Sequence, residues 1–268
     1  MTEHRAGSAT TLARSTGFMH DLATIAVRAL RDLRRDPEAV IPPLIIATFF
    51  YAINVGALQK AFETSGSNFD YKAFQLPTAV IFAITGTSRA TSLVVDIQSG
   101  FFDRLLVTPV RRLVLLLGFM AADLILVMAL TTPVIIAGLV VGVRFQTGVV
   151  GMVAFVFLAA FWAVSYSGII YAIALKTGSP TAVGQSFLLF FPFAFLTTGT
   201  VPRSAMTSWL AAVVPFNPLT YLLDGFRTLI TEGWRADKLL PALLAISGVC
   251  VFSVSLALLA LRGRVSRS

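Results

Sequence analysis

Asp96–Arg112 reads DIQSGFFDRLLVTPVRR, and the fold turns on how this stretch is read. On either side lie apolar runs, Phe74–Val95 and Leu113–Val141, each long enough to cross a bilayer, which takes about 20 residues. Phe101, Phe102, Leu105 and Leu106 fall on one side of a helix, with Asp103 and Arg104 toward the other. Gly100 allows the backbone to turn out of the preceding run, and Thr108-Pro109 ends the helix. A short amphipathic connector of this kind either inserts its apolar side into a groove on another protein or lies as an ordinary interfacial helix. Its spacing alone does not choose between them.

The composition puts the whole chain in a membrane. Of 268 residues, 56% are hydrophobic and only 13% charged, and the mean hydropathy is +0.83; soluble domains carry about 25% charged residues. The net charge of +8 suits residues flanking apolar runs, where topology and lipid headgroups call for lysine and arginine, better than a nucleic-acid surface. Cys250 has no partner for an internal disulfide, and His4 and His20 both lie in the polar N-terminal arm, so no metal site is expected.

Six spans are predicted, at Ala39–Leu58, Phe74–Val95, Leu113–Val141, Val149–Leu175, Ala182–Val201 and Leu239–Leu261. The fold class is therefore all-α, a single transmembrane domain over 1–268. Residues 1–16 read as a loose tail without a signal peptide's apolar core. Phe18–Leu33 repeats Phe18, Leu22, Ile25, Ala29 and Leu30 at helical spacing, with arginines elsewhere on the wheel. It is predicted to lie in the headgroup plane, closed by Pro37, the alternative being a helix packed on a partner. Within the outer segment 202–238, Trp209–Leu223 is apolar but too short to cross and is broken by Pro215 and Pro218. It is expected to be a helix pair that dips into the outer face and returns, or a surface-lying segment.

Charge sets the orientation. With both termini inside, the outer loops hold seven of the 21 basic residues, namely Lys60, Lys72, Arg144, Arg203, Arg227, Arg235 and Lys238. The other fourteen, twice as many, fall on the cytoplasmic side. This places Asp96–Arg112 in the cytoplasm and the chain in the inner or cytoplasmic membrane.

The motifs then carry a resemblance. The connector is similar to the cytoplasmic segment of type-two ABC exporter permeases, matching at Asp96, Gly100, Leu105, Leu106, Pro109 and Arg112. PFNPLTYLLDGFR, from Pro215 to Arg227, resembles the same family's outer segment at Asn217, Pro218, Tyr221 and Arg227, and Arg35-Asp36-Pro37 fits its N-terminal elbow. The Gln-Ser-Gly-Phe-Phe wording looks most like the daunorubicin-resistance branch. The resemblance implies one permease of a pair, homodimeric or heterodimeric, working with a separate ABC ATPase. The ATPase would dock on a coupling helix that includes Gly100, Phe101, Phe102, Arg104, Leu105, Leu106 and Pro109. ATP and magnesium would sit on that partner, since the sequence has no G-x-x-x-x-G-K-[ST] phosphate loop.

Two further sets of residues are singled out. Arg89 and Asp123 lie at comparable depth in the two spans that flank the connector and are predicted to pair. Alternatively Arg89 snorkels to the interface and Asp123 faces a wet cavity. If they pair, reversing both charges restores the transport that either single reversal abolishes. Phe187, Phe190 and Phe193 could wall a substrate pathway, although phenylalanines more often contact lipid or neighbouring helices. The expected function is ATP-driven export of hydrophobic drug-like or lipidic compounds. Export of a lipid-linked glycan or other cell-envelope precursor is the alternative within the family, and a channel or scaffold that does not use ATP is the alternative outside it. An intramembrane enzyme would need clustered His, Cys, Asp or Glu, whereas Asp123 is the only carboxylate well inside a span.

Overall fold

A computed structural model describes residues 40–64, 69–85, 87–100 and 112–265. The N-terminal amphipathic helix and the core of the connector, residues 101–111, lie outside the described residues. Every regular element among those described is helical: α1 (Ile41–Thr64), α2 (Tyr71–Ile84), α3 (Ala90–Gln98), α4 (Arg112–Val140), α5 (Gly148–Thr177), α6 (Pro180–Gln185), α7 (Phe190–Phe195), α8 (Ser208–Val213), α9 (Pro218–Thr231) and α10 (Ala236–Val265). Short 3-10 turns at Ser186–Leu189, Arg203–Ala205 and Val214–Phe216 join some of them.

Among the described residues, four helices, α1, α4, α5 and α10, are long and apolar enough to cross a membrane. Of the six spans read from the sequence, these four match the first, third, fourth and sixth, while the predicted second and fifth spans are each interrupted. Residues 85–89 separate α2 from α3. Farther along, α7 stops at Phe195 and the chain runs on without helix through Leu196–Pro202. At about 1.5 Å per residue, the 14-residue α2 reaches only about 21 Å, short of the roughly 30 Å hydrocarbon core. Elsewhere the boundaries move little. Pro42 and Pro43 sit in the first turn of α1, where missing amide donors cost little, and α4 passes through Pro133 without ending.

The bundle is assembled around α5, which packs on α10 and α4 and also meets α2, α3, α6 and α9. Close approach of α5 and α10 depends on Gly168. A Cβ built there would stand 2.9 Å from the backbone carbon of Ser253, closer than atoms pack. Small residues at such crossings let helix backbones come together in lipid, where no hydrophobic force drives the association. By contrast α1 presents a stripe of Ile41, Ile45, Phe49 and Ile53 outward, one residue per turn, and packs mainly on α2.

The ends of the bundle differ. At one, Gly100 adopts φ 71°, a left-handed conformation that suits glycine, and the Gln98 side-chain amide donates to the Gly178 carbonyl at 3.0 Å. At the other, the Gln146 amide donates to the Ile230 carbonyl at 2.9 Å and the Thr147 hydroxyl to the Leu229 carbonyl at 2.6 Å, which ties the α4–α5 turn to α9. These are called the Gly100 end and the Asp70 end below.

Candidate functional site

The interruption between α2 and α3 gathers polar groups. Helix termini leave backbone groups without intrahelical partners, and in a low-dielectric interior each needs another partner. Here the amide of Arg89, opening α3, donates to Asp123 Oδ1 at 2.7 Å. The Tyr171 hydroxyl donates to Asp123 Oδ2, also at 2.7 Å. Asp123 is fully buried. Its carboxylate thus comes from α4, receives a donor from α5 and caps α3, where the partial positive charge of a helix N-terminus favours an anion. The Trp162 indole donates to the Thr85 hydroxyl at 3.0 Å, fixing the other side of the break to α5. Ser88 Oγ accepts from the Ala90 amide.

Arg89 and Asp123 are therefore brought together, and the described contact runs through the backbone amide of Arg89. The sequence marked both residues as embedded charges but carried no sign of that amide. It also left Trp162 and Tyr171 unremarked among the aromatic residues of α5.

A cavity of about 710 Å³ opens beside the break. Thr85, Thr87, Ser88, Arg89, Thr91 and Ser92 contribute polar groups to its lining. Pro42, Ile46, Phe82, Leu126 and Phe187 supply apolar surface. The three phenylalanines read as a pathway do not share this wall. Phe187 lines the cavity, Phe190 is fully buried against Phe82 and Tyr166, and Phe193 points outward, about half exposed. Phe187 and Phe190 still touch across the 3-10 turn at Ser186–Leu189, with ring centroids 5.8 Å apart.

At the Asp70 end the matched outer residues take distinct places. Asn217 caps α9, accepting from the Leu219 amide at 3.0 Å, with Pro218 at the first helical position. Its side-chain amide also donates to the carbonyls of Phe193 and Leu196, at 2.6 and 2.9 Å. The Tyr221 hydroxyl closes the preceding turn on the Pro215 carbonyl at 2.8 Å. Arg227, counted from the sequence as a loop charge, is 8% exposed. It donates to the Thr198 carbonyl at 2.6 Å, the Thr198 hydroxyl at 2.8 Å and the Phe74 carbonyl at 3.1 Å. It also stacks over the Phe74 ring at 3.5 Å and meets Asp224 at 3.6 Å. A second cavity, of about 890 Å³, adjoins it and is lined by Asp70, Arg144, Thr198, Tyr221, Asp224 and Lys238 among others.

Asn217→Ala removes a helix cap worth about 1 kcal/mol and leaves two carbonyls without their donor, at about 1 kcal/mol or more each. Thermal unfolding in detergent is expected to show a loss of about 2–4 kcal/mol. Asn217→Ser, which restores only the cap, should recover about 1 kcal/mol of it. Full recovery by serine would mean that the two carbonyl bonds contribute nothing.

Among the described residues, an all-helical bundle with four long apolar helices and a carboxylate buried at a helix break describes a polytopic membrane protein. Residues 20–231 match the family described as ABC-2 type transporter, and the chain belongs to that family. Among its relatives, it is 29% identical over 197 residues to "Daunorubicin resistance ABC transporter permease protein DrrB1" of Streptomyces coeruleorubidus, spanning 72% of this chain and 67% of that one. It is 30% identical over 224 residues to "Putative transport permease ycf38" of Cyanophora paradoxa, spanning 80% and 76%. It is 25% identical over 226 residues to "Probable doxorubicin resistance ABC transporter permease protein DrrC" of Mycobacterium tuberculosis, spanning 84% and 82%. The resemblance to the drug-resistance branch of ABC permeases is thus correct.

Proposed function

We propose that the chain is the membrane permease of an ATP-driven exporter that moves hydrophobic, drug-like or lipidic compounds out of the cell. Export proceeds by alternating access, with ATP and magnesium on a separate ATPase and a second permease completing the pathway. The Gly100 end and both termini face the cytoplasm. In this reading the second crossing is made by α2, the break and α3. The fifth is made by α6, the 3-10 turn, α7 and the Leu196–Pro202 ribbon, and α8 and α9 enter the outer face and return.

One observation carries the substrate class. Hydroxyl groups and Arg89 make up one part of the lining of the cavity at the Gly100 end, and proline, isoleucine, leucine and phenylalanine another. A compound with an apolar ring system or chain and a few polar substituents matches both parts, whereas a free ion or a long hydrophilic polymer would leave the apolar part unmatched. The drug-resistance names of two relatives agree with that chemistry.

The test is reconstitution of the permease with its ATPase in proteoliposomes, measuring ATP-dependent movement of a panel of fluorescent hydrophobic dyes. Stimulated ATPase activity and dye movement support the reading; absence of both, with no association of the subunits, overturns it. Leu105→Glu, which charges the apolar side of the proposed coupling helix, is expected to abolish ATPase co-purification while the permease still inserts. A charge buried unpaired in such an interface costs about 3–5 kcal/mol, enough to break a modest one. Loss of membrane insertion in this variant would make the segment a structural connector only.

A further inference from the structure

Both cavities are lined by residues from Ala73–Thr85 and from Gly184–Pro202. The one at the Gly100 end is lined by Phe82 and Thr85, late in α2, and by Gly184 and Phe187. The one at the Asp70 end is lined by Ala73 and Phe74, early in α2, and by Thr198 and Pro202. Between them stand the packed contacts of Phe82 with Phe190 and of Thr78 with Gly199.

The ribbon at this second cavity is unusual backbone for a membrane protein. Non-helical chain at membrane depth persists only where protein or a wet cavity satisfies its polar groups. Three consecutive carbonyls each receive a side-chain donor from another element. The Thr198 carbonyl is held by Arg227, the Gly199 carbonyl by the Thr78 hydroxyl at 2.8 Å, and the Thr200 carbonyl by the Tyr71 hydroxyl at 2.6 Å. Asn217 holds the carbonyls of Phe193 and Leu196 just before them. Thr197, Thr198 and Gly199 are buried, although one side of the ribbon borders a cavity rimmed with charged groups.

A helix satisfies its own carbonyls and cannot let go without unwinding. A ribbon held by side chains from α2 and α9 is different, because it separates from either whenever those bonds exchange for water. We infer that Thr197–Thr200 is the outer closure of the pathway, latched shut by Tyr71, Thr78 and Arg227, and that these bonds must release before solute can leave. The inference rests on the exporter reading for its direction, but the latch itself is testable without transport.

In a Cys250→Ala background, Thr197→Cys places a thiol on the buried ribbon, and a membrane-impermeant maleimide reports its exposure in proteoliposomes of the permease. Adding Arg227→Met or Thr78→Val removes latch bonds. Thr78→Val is isosteric, so it serves if Arg227→Met fails to fold. Labelling is expected to rise about tenfold with Thr78→Val, the effect of losing one buried bond of this kind, and by at least as much with Arg227→Met, which removes several. Unchanged labelling in folded protein overturns the latch.

A second arm locks it. A Cβ at Gly199 would lie 3.3 Å from Thr78 Cγ2 and 3.6 Å from Thr78 Oγ1, within the reach of a disulfide. The Thr78→Cys, Gly199→Cys protein, in the same background, is expected to lose dye movement when oxidised and regain it on reduction, with the ATPase still bound. Equal movement in both states overturns the closure. If the unsubstituted complex moves no dye, the exporter reading fails, and the labelling arm alone decides the latch.

Discussion

Asp123→Leu is expected to be the most damaging single substitution at the Gly100 end of the bundle. Two donors converge on this carboxylate, the Arg89 amide and the Tyr171 hydroxyl. Leucine fills much of the space but accepts from neither, and each buried donor left without a partner costs about 1–3 kcal/mol, so the expected loss is about 2–6 kcal/mol. Asp123→Asn should cost less, because its carbonyl oxygen still accepts from the amide, although its side-chain NH₂ leaves the Tyr171 O–H without that acceptor. Tyr171→Phe, which removes one bond, should cost about 1–2 kcal/mol. Arg89→Met leaves the amide where it is, so the bond from the backbone to Asp123 survives that change. Thermal unfolding of the purified variants gives the order, and an Arg89→Met loss as large as that of Asp123→Leu would mean that the side chain, not the amide, dominates the contact. The same geometry bears on the charge-reversal experiment. Exchanging the two residues puts a cation where the Arg89-position amide and Tyr171 both donate, so the exchange is expected to restore nothing.

Gly168→Val should be comparably severe for a different reason. The obstacle to a Cβ there is the backbone of α10 at Ser253, along with the Ser253 side chain at 2.6–2.9 Å. Backbone cannot rotate away, so α5 and α10 must part, and overpacking of this kind costs about 1–3 kcal/mol or more. Gly168→Ala, which adds one methyl, allows a sharper test. Ser253→Gly removes the side-chain part of the clash while weakening its own helix by about 1 kcal/mol. The double variant should therefore be more stable than the sum of the single losses predicts, with a coupling of about 0.5–3 kcal/mol. Strict additivity would show that the two helices do not meet at these positions.

The long helices were legible because α1, α4, α5 and α10 are apolar nearly throughout, and length alone separates such runs from soluble helices. The break at 85–89 was not. Thr85-Gly86-Thr87-Ser88 consists of small hydroxyl residues, and these equally mark close helix packing in lipid. A sequence displays side chains, whereas the deciding feature was a backbone amide whose acceptor comes from α4. The end of α7 was hidden in a similar way. Leu196-Thr197-Thr198-Gly199-Thr200-Val201 is apolar enough to continue a span, and only the donors at Tyr71, Thr78, Asn217 and Arg227, far away in the chain, make a non-helical path tolerable. Arg227 misled for the opposite reason, since charge bookkeeping assigns an arginine to a loop while the fold gives it carbonyls to hold. Phe187, Phe190 and Phe193 show the same limit, since the sequence displays their clustering but not that the first lines a cavity, the second is buried and the third faces outward.

The Gly100 joint and the break at 85–89 together give α3 a mechanical character. It is a rod of nine residues, about 13 Å long, with a joint at each end. Such a link transmits thrust along its axis but very little bending. Under the exporter reading, a push delivered at Gly100 would be met first at Asp123 and Tyr171, on α4 and α5, where the start of α3 is held. Because α3 also packs on α5 and α6 along its length, those helices would share any such push.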